Sequence, residues 1–165
     1  MTTEPEKRDL VVTRVFNAPV KQVWKAWSEP GLVMRWWGPH GFTCPVAKMD
    51  FRKGGTSLVC MRAPKEFGGQ DFCNTWSYEK IVPMKRFVYI LRFADQDGRM
   101  MEPAQQGLSP EIPKEAVHEV TFNDLGNGKI EVTVTEYGWT VGQLMEMSQM
   151  GLEQCLDKMA ALFAE

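Results

Sequence analysis

The chain has 165 residues, 44% of them apolar, 11% aromatic and 24% charged, the balance of one globular domain with a single sizeable core. Its formal net charge is -2 and it has no dense Lys/Arg run, which gives little electrostatic reason to expect nucleic acid or an anionic membrane as partner. No apolar run approaches the roughly 18 residues of a membrane helix, and the polar start MTTEPEKRD shows no secretory signal, so a cytoplasmic location is expected.

Residues 1–9 read as a flexible tail and 10–165 as one domain. Leu10 to Phe16 is β-branched and aromatic, as a strand requires. Pro19 then suits the start of a helix, and Val20, Val23, Trp24 and Trp27 make one apolar stripe at helical spacing. Ser28 and Pro30 mark a restart, with Leu32 to Trp37 as a second short helix. The RWWGPHGFT stretch that follows, Arg35 to Thr43, sets two large indoles beside Gly38, Pro39 and Gly41 and reads as a bulky lip turning into a strand.

Phe42 to Phe51 and Thr56 to Arg62 read as strands around Gly54-Gly55, Phe72 to Val82 and Arg86 to Phe93 as a pair around Pro83-Met84, and Ala116 to Phe122 and Ile130 to Tyr137 as a pair around Gly126-Asn127-Gly128. Too little chain separates these strands for helical crossovers. A mainly antiparallel meander follows, with the first strand at an edge or beside the last strand. Residues 94–115, rich in Pro, Gly, Gln and acids, read as a long mobile loop, disordered or lid-like. Thr140 to Ala164 lacks proline and is dense in Leu, Met, Gln and Ala, so it reads as one helix of roughly 35 Å. Leu144, Ser148, Gly151, Leu152, Cys155, Met159 and Leu162 form its buried stripe, where Gly151 costs about 1 kcal/mol and implies a close approach or open space.

Cys44, Cys60, Cys73 and Cys155 form no C-x-x-C pair. Reduced thiols are therefore expected, without a disulfide framework, and no metal site is announced by these cysteines with His40 and His118. No G-x-S-x-G elbow, H-E-x-x-H, P-loop or dinucleotide fingerprint occurs, which leaves hydrolase, zinc-protease and nucleotide chemistry unsupported and implies no cofactor.

Strand alternation turns Ile130, Val132 and Val134 inward, together with Ala116, His118, Val120 and Phe122. A three-residue turn centred on Asn127 sets Phe122 opposite Val132 and His118 opposite Glu136; a shifted turn sets Val134 there instead. His118 with Glu136 is the one candidate acid–base pair. Trp36, Trp37, Met61, Trp76, Tyr78, Phe93, Met145 and Met147 are candidates to border a space under the last helix, joined by His118, Val134 and Gly151, while Asn74, Arg62 and Arg92 are polar groups within inward reach.

The order of strand, two short helices, six strands and long helix resembles the helix-grip fold of START-like and plant-allergen-like ligand-binding domains. FNAPVKQVWKAWSEPGLVMRWWGPHGFT, the Asp50-Phe51-Arg52-Lys53-Gly54-Gly55 run, Tyr78 to Pro83 with Arg86, and GLEQCLDKMAALFA are similar to bacterial proteins related to the C-terminal domain of the activator of heat-shock protein 90 ATPase. Two features depart from that pattern. Leu152 stands where a tryptophan is usual, and the 94–115 excursion is longer. The resemblance implies an α+β fold whose curved sheet grips the last helix around an apolar cavity, often in a homodimer. It leads to three expected functions: binding of a small apolar or aromatic molecule, a cyclase- or aromatase-like reaction in the same cavity, and, ranked lowest because the chain lacks room for the extra domain of true activators, a chaperone partner.

Overall fold

The computed structural model describes residues 6–164. Its first strand, β1 (Lys7–Phe16), leads to α1 (Val20–Ser28), for which Pro19 is the N-cap, and to α2 (Pro30–Trp36), which carries proline at its first position. Proline is tolerated there because those backbone donors lack intrahelical acceptors. α2 is fixed against α1 by Trp36, whose indole N–H donates to the Ala26 carbonyl at 2.7 Å while its ring lies 4.7 Å from that of Trp27.

The strands β2 (Thr43–Lys48), β3 (Thr56–Arg62), β4 (Asp71–Val82), β5 (Arg86–Ala94), β6 (Glu115–Gly126) and β7 (Lys129–Thr140) follow as a meander. They form one antiparallel sheet of order β1-β7-β6-β5-β4-β3-β2, so β1 lies beside the last strand. The helix α3 (Gln143–Leu162) closes the chain and buries Leu152, Cys155, Leu156 and Met159. Trp24, Trp27, Trp36, Trp76, Phe87 and Tyr89 fill the core on the inner side of the sheet. Burying such aromatic rings supplies most of the driving force for a domain of this size.

Four expectations change. Lys7, Arg8 and Asp9 are strand rather than tail: Lys7 pairs with Thr140 and Arg8 with Trp139, because polar side chains at an edge stay solvated while their backbone joins the ladder. Residues 1–5, the rest of the expected tail, lie outside the described residues. Thr140 consequently belongs to β7, and α3 starts three residues later. The 94–115 excursion is folded: Asp95 bonds the backbone of Asp97 and Arg99, Met101 N–H donates to the Phe93 carbonyl, and a 3-10 turn at Pro103–Gln106 carries a capping box between Glu102 and Gln105. Local side-chain bonds of this kind order a polar segment that composition alone reads as loose.

The fourth correction concerns the thiols. Cys60 and Cys73 form a disulfide, whereas Cys44 and Cys155 are free and buried. Sequence spacing hides the bridge because antiparallel pairing of β3 with β4 sets the two residues opposite each other across the connection Ala63–Gln70, which contains a further short 3-10 turn.

Candidate functional site

Registers across four strands bring one row of polar and aromatic side chains together on the inner face. Tyr78 of β4 pairs with Tyr89 of β5, Tyr89 with His118 of β6, and His118 with Glu136 of β7, as the Asn127-centred turn predicts. Side chains directly opposite in an antiparallel pair share a face, so the row is a product of register alone. The Tyr89 hydroxyl and His118 Nδ1 are 3.1 Å apart, Glu136 Oε2 lies 3.9 Å from the same nitrogen, and Trp139 Nε1–H donates to Glu136 Oε1 at 3.0 Å. Tyr78 shares a 2.7 Å hydrogen bond with the Ser57 hydroxyl, and Trp76, stacked on Tyr89 at 5.0 Å, donates its indole N–H to Asn74 Oδ1.

The interior sets the protonation of this row. Burial lowers the His118 pKa below its ordinary value, with Glu136 opposing the shift, so the imidazole is neutral at neutral pH. Burial also raises both Tyr78 and Tyr89, the latter helped by Glu136, so both remain phenols. The row therefore offers a neutral imidazole, two phenolic hydroxyls and a carboxyl group, all at most 8% exposed, inside an aromatic core.

The lip closes onto α3. Lys158 Nζ donates to the carbonyls of Gly38 at 2.9 Å and Phe42 at 3.1 Å, His40 N–H donates to Gln154 Oε1, and Asp157 pairs with both Arg14 and His40. Gly38 makes the turn possible: its φ is +104°, and a Cβ there would stand 2.9 Å from Phe42 Cβ. Burial lowers the Lys158 pKa, with Cys155 and Cys44 opposing the shift. The tryptophan-glycine stretch thus fastens the second half of α3. Gly151 also meets the lip, since a Cβ there would lie in ordinary contact, 3.5 Å, with Pro39 Cγ.

The remaining sequence candidates divide. Trp76, Tyr78 and Val134 are buried on the inner face, and Met61 and Phe93 are half-buried on it. Trp36 is spent on the α1–α2 contact, while the half-buried Trp37 sets its ring edge-on to Trp76 at 5.0 Å. Among the described residues, the indole N–H groups of Trp27 and Trp37 find no hydrogen-bond acceptor. Met147 is 56% exposed and does not border the interior, because its position on α3 is off the Leu152–Cys155–Met159 stripe. Arg62 and Arg92 lie on the outer face, paired with Asp71 and Glu115, whereas Asn74 is inward.

Sequence reading passed over Tyr89, Ser57, Trp139 and Lys158. Tyr89 alternates with Phe87 and Leu91 and mirrors Tyr78 across the Pro83-Met84 turn, which is a usable signal; Lys158, one turn beyond Cys155, is a cation flanking an apolar stripe. Among the described residues no group of three or more His, Cys, Asp or Glu is placed to hold a metal ion.

A curved antiparallel sheet, two short helices after its first strand and one long helix against its inner face define a helix-grip domain. The chain belongs to the Activator of Hsp90 ATPase homolog 1-like protein family, whose model matches residues 17–164. Among solved structures, a Chromobacterium violaceum protein is 26% identical, with 93% of this chain and 95% of that one covered and a TM-score of 0.74. An AHSA1 protein from Silicibacter pomeroyi (18% identity, 95% and 98% covered, TM-score 0.74) and a Mycobacterium smegmatis protein (21%, 97% and 95%, 0.73) share the fold. Comparison with curated proteins gives no match.

Proposed function

We propose that this protein binds a small, largely apolar or aromatic molecule between the sheet and α3, with the Tyr89–His118–Glu136 row holding the one polar group of that molecule. The row carries the reading. Polar side chains are costly in an aromatic interior, and a neutral imidazole beside a phenol can donate or accept toward a hydroxyl or carbonyl. Two open hollows, of about 430 and 180 Å³, lie elsewhere, one beside Glu102–Ala104 and Pro110–Lys114 and the other between α1, α2 and the end of α3. Trp76 and Tyr89 are buried in the core and Trp37 and Met145 pack against it, so binding requires side chains to move. The first half of α3 supplies that freedom: from Gln143 to Gly151 every residue is exposed or half-buried.

Native mass spectrometry of freshly purified protein, followed by thermal melts with simple phenols and indoles, tests the reading. A retained mass lost on denaturation, or a rise in Tm that grows with the logarithm of ligand concentration and is equivalent to about 2.7 kcal/mol at a hundred times Kd, is expected, and Tyr89→Phe should weaken it. An apo mass with no shift from any probe would overturn it.

The 3.9 Å approach of Glu136 to His118 favours a second reading, in which the pair moves a proton on a bound molecule. In that case His118→Gln abolishes turnover while leaving binding measurable; unchanged turnover removes His118 from the chemistry.

A further inference from the structure

We propose that residues 95–114 are a strap that shutters a redox-responsive disulfide, and that the state of the Cys60–Cys73 bond sets how firmly the strap is held. The bridge joins directly opposed residues of β3 and β4 on the outer face of the sheet, away from the polar row, within a small separate apolar cluster of Leu58, Cys60, Cys73, Ala94 and Val46. Cys60 is 0% and Cys73 3% exposed.

The strap is mostly exposed, yet Gln106 within it is 5% exposed. Its Nε2 donates to the Ala94 carbonyl at 2.8 Å and to the Cys73 carbonyl at 3.3 Å, while its own carbonyl accepts from Gln70 at 2.9 Å. Gln106 is therefore a pin set on the backbone of a bridge residue. Its Oε1 is buried without a hydrogen-bond partner among the described residues, which makes the seat less than fully bonded and lowers the cost of withdrawing it.

Reduction needs access. The thiolate of a dithiol must attack one bridge sulfur, break the S–S bond and form a mixed disulfide; its second thiol then displaces the protein sulfur, so the dithiol leaves oxidised and Cys60 and Cys73 each gain a proton as thiols. Both bridge residues are buried and the strap is pinned to the carbonyls of Cys73 and of its β5 neighbour Ala94, so attack is expected to wait on the pin lifting. Once the bond is open, the β3–β4 pair loses its covalent tie at the residue on which the pin rests. Asn74, adjacent to Cys73, pairs with Phe93 on the inner face, so this end of the sheet loosens on both sides.

The test uses the full chain, with dithiothreitol as the dithiol, maleimide tagging of released thiols, and hydrogen exchange read by mass spectrometry. The expected results are a slowly reduced bridge, reduction about tenfold faster in Gln106→Ala, and faster exchange across 95–114 after reduction. The Cys60→Ala/Cys73→Ala double variant should show the same fast strap exchange without reductant, which keeps the test decisive if the Gln106 variant does not fold. Four free thiols in the purified protein, equal reduction rates in a folded Gln106→Ala variant, or identical strap exchange with and without the bond would each overturn the proposal.

Discussion

His118 is carried in the fold as a neutral base, and this has a sign in pH. Its folded pKa lies below the ordinary 6.5, so between those two values the unfolded chain holds more protons than the folded one. Stability therefore rises with pH through that window and falls as pH is lowered from 6.5. His118→Gln should flatten that limb of a Tm-against-pH profile; an unchanged limb would show that the histidine is not buried as described. Cys44 and Cys155 give a second test, since burial pushes both thiols up to about 11. Native protein at pH 8 should resist iodoacetamide at these two positions, and urea should expose both at once. Much of this scale could be read in the sequence. His118 opposite Glu136 followed from alternation and one turn length, whereas the disulfide did not, because a register through the irregular Ala63–Gln70 connection cannot be counted.

At the scale of elements, the lip and α3 form a joint whose parts can be separated. Lys158→Met removes two charge-assisted bonds to backbone carbonyls and should cost about 2 kcal/mol, read as a lower urea midpoint at unchanged slope. Gly38→Ala should cost more than Gly54→Ala. Both glycines have positive φ, but a Cβ at Gly38 meets Phe42 whereas one at Gly54 meets nothing, so about 2 against 1 kcal/mol is expected. Equal losses would show that only backbone conformation matters at the lip. The sequence identified this stretch as a sharp, bulky exit. It could not show the exit turned toward α3, since the bonds to Gln154, Asp157 and Lys158 join segments more than a hundred residues apart.

For the molecule as a whole, hydrophobic period and turn chemistry were enough to place seven strands, two short helices and one long helix in order. Each hairpin is local and each apolar stripe has one face to cover. Misplaced were the start of β1 and the 95–114 strap, where polar residues are ordered by particular bonds, and Met147, which lies off the buried stripe of α3. The second half of α3 is fastened by Gln154, Asp157 and Lys158 and by its buried stripe, while the first half has no buried residue. Evolution can act on the two halves separately. Substitutions between Gln143 and Gly151, none of which is buried, come at little cost to the fold, whereas changes at Leu152 to Met159 are filtered first by whether the chain folds at all. One helix thus divides into a segment that the fold leaves open to change and one that it constrains.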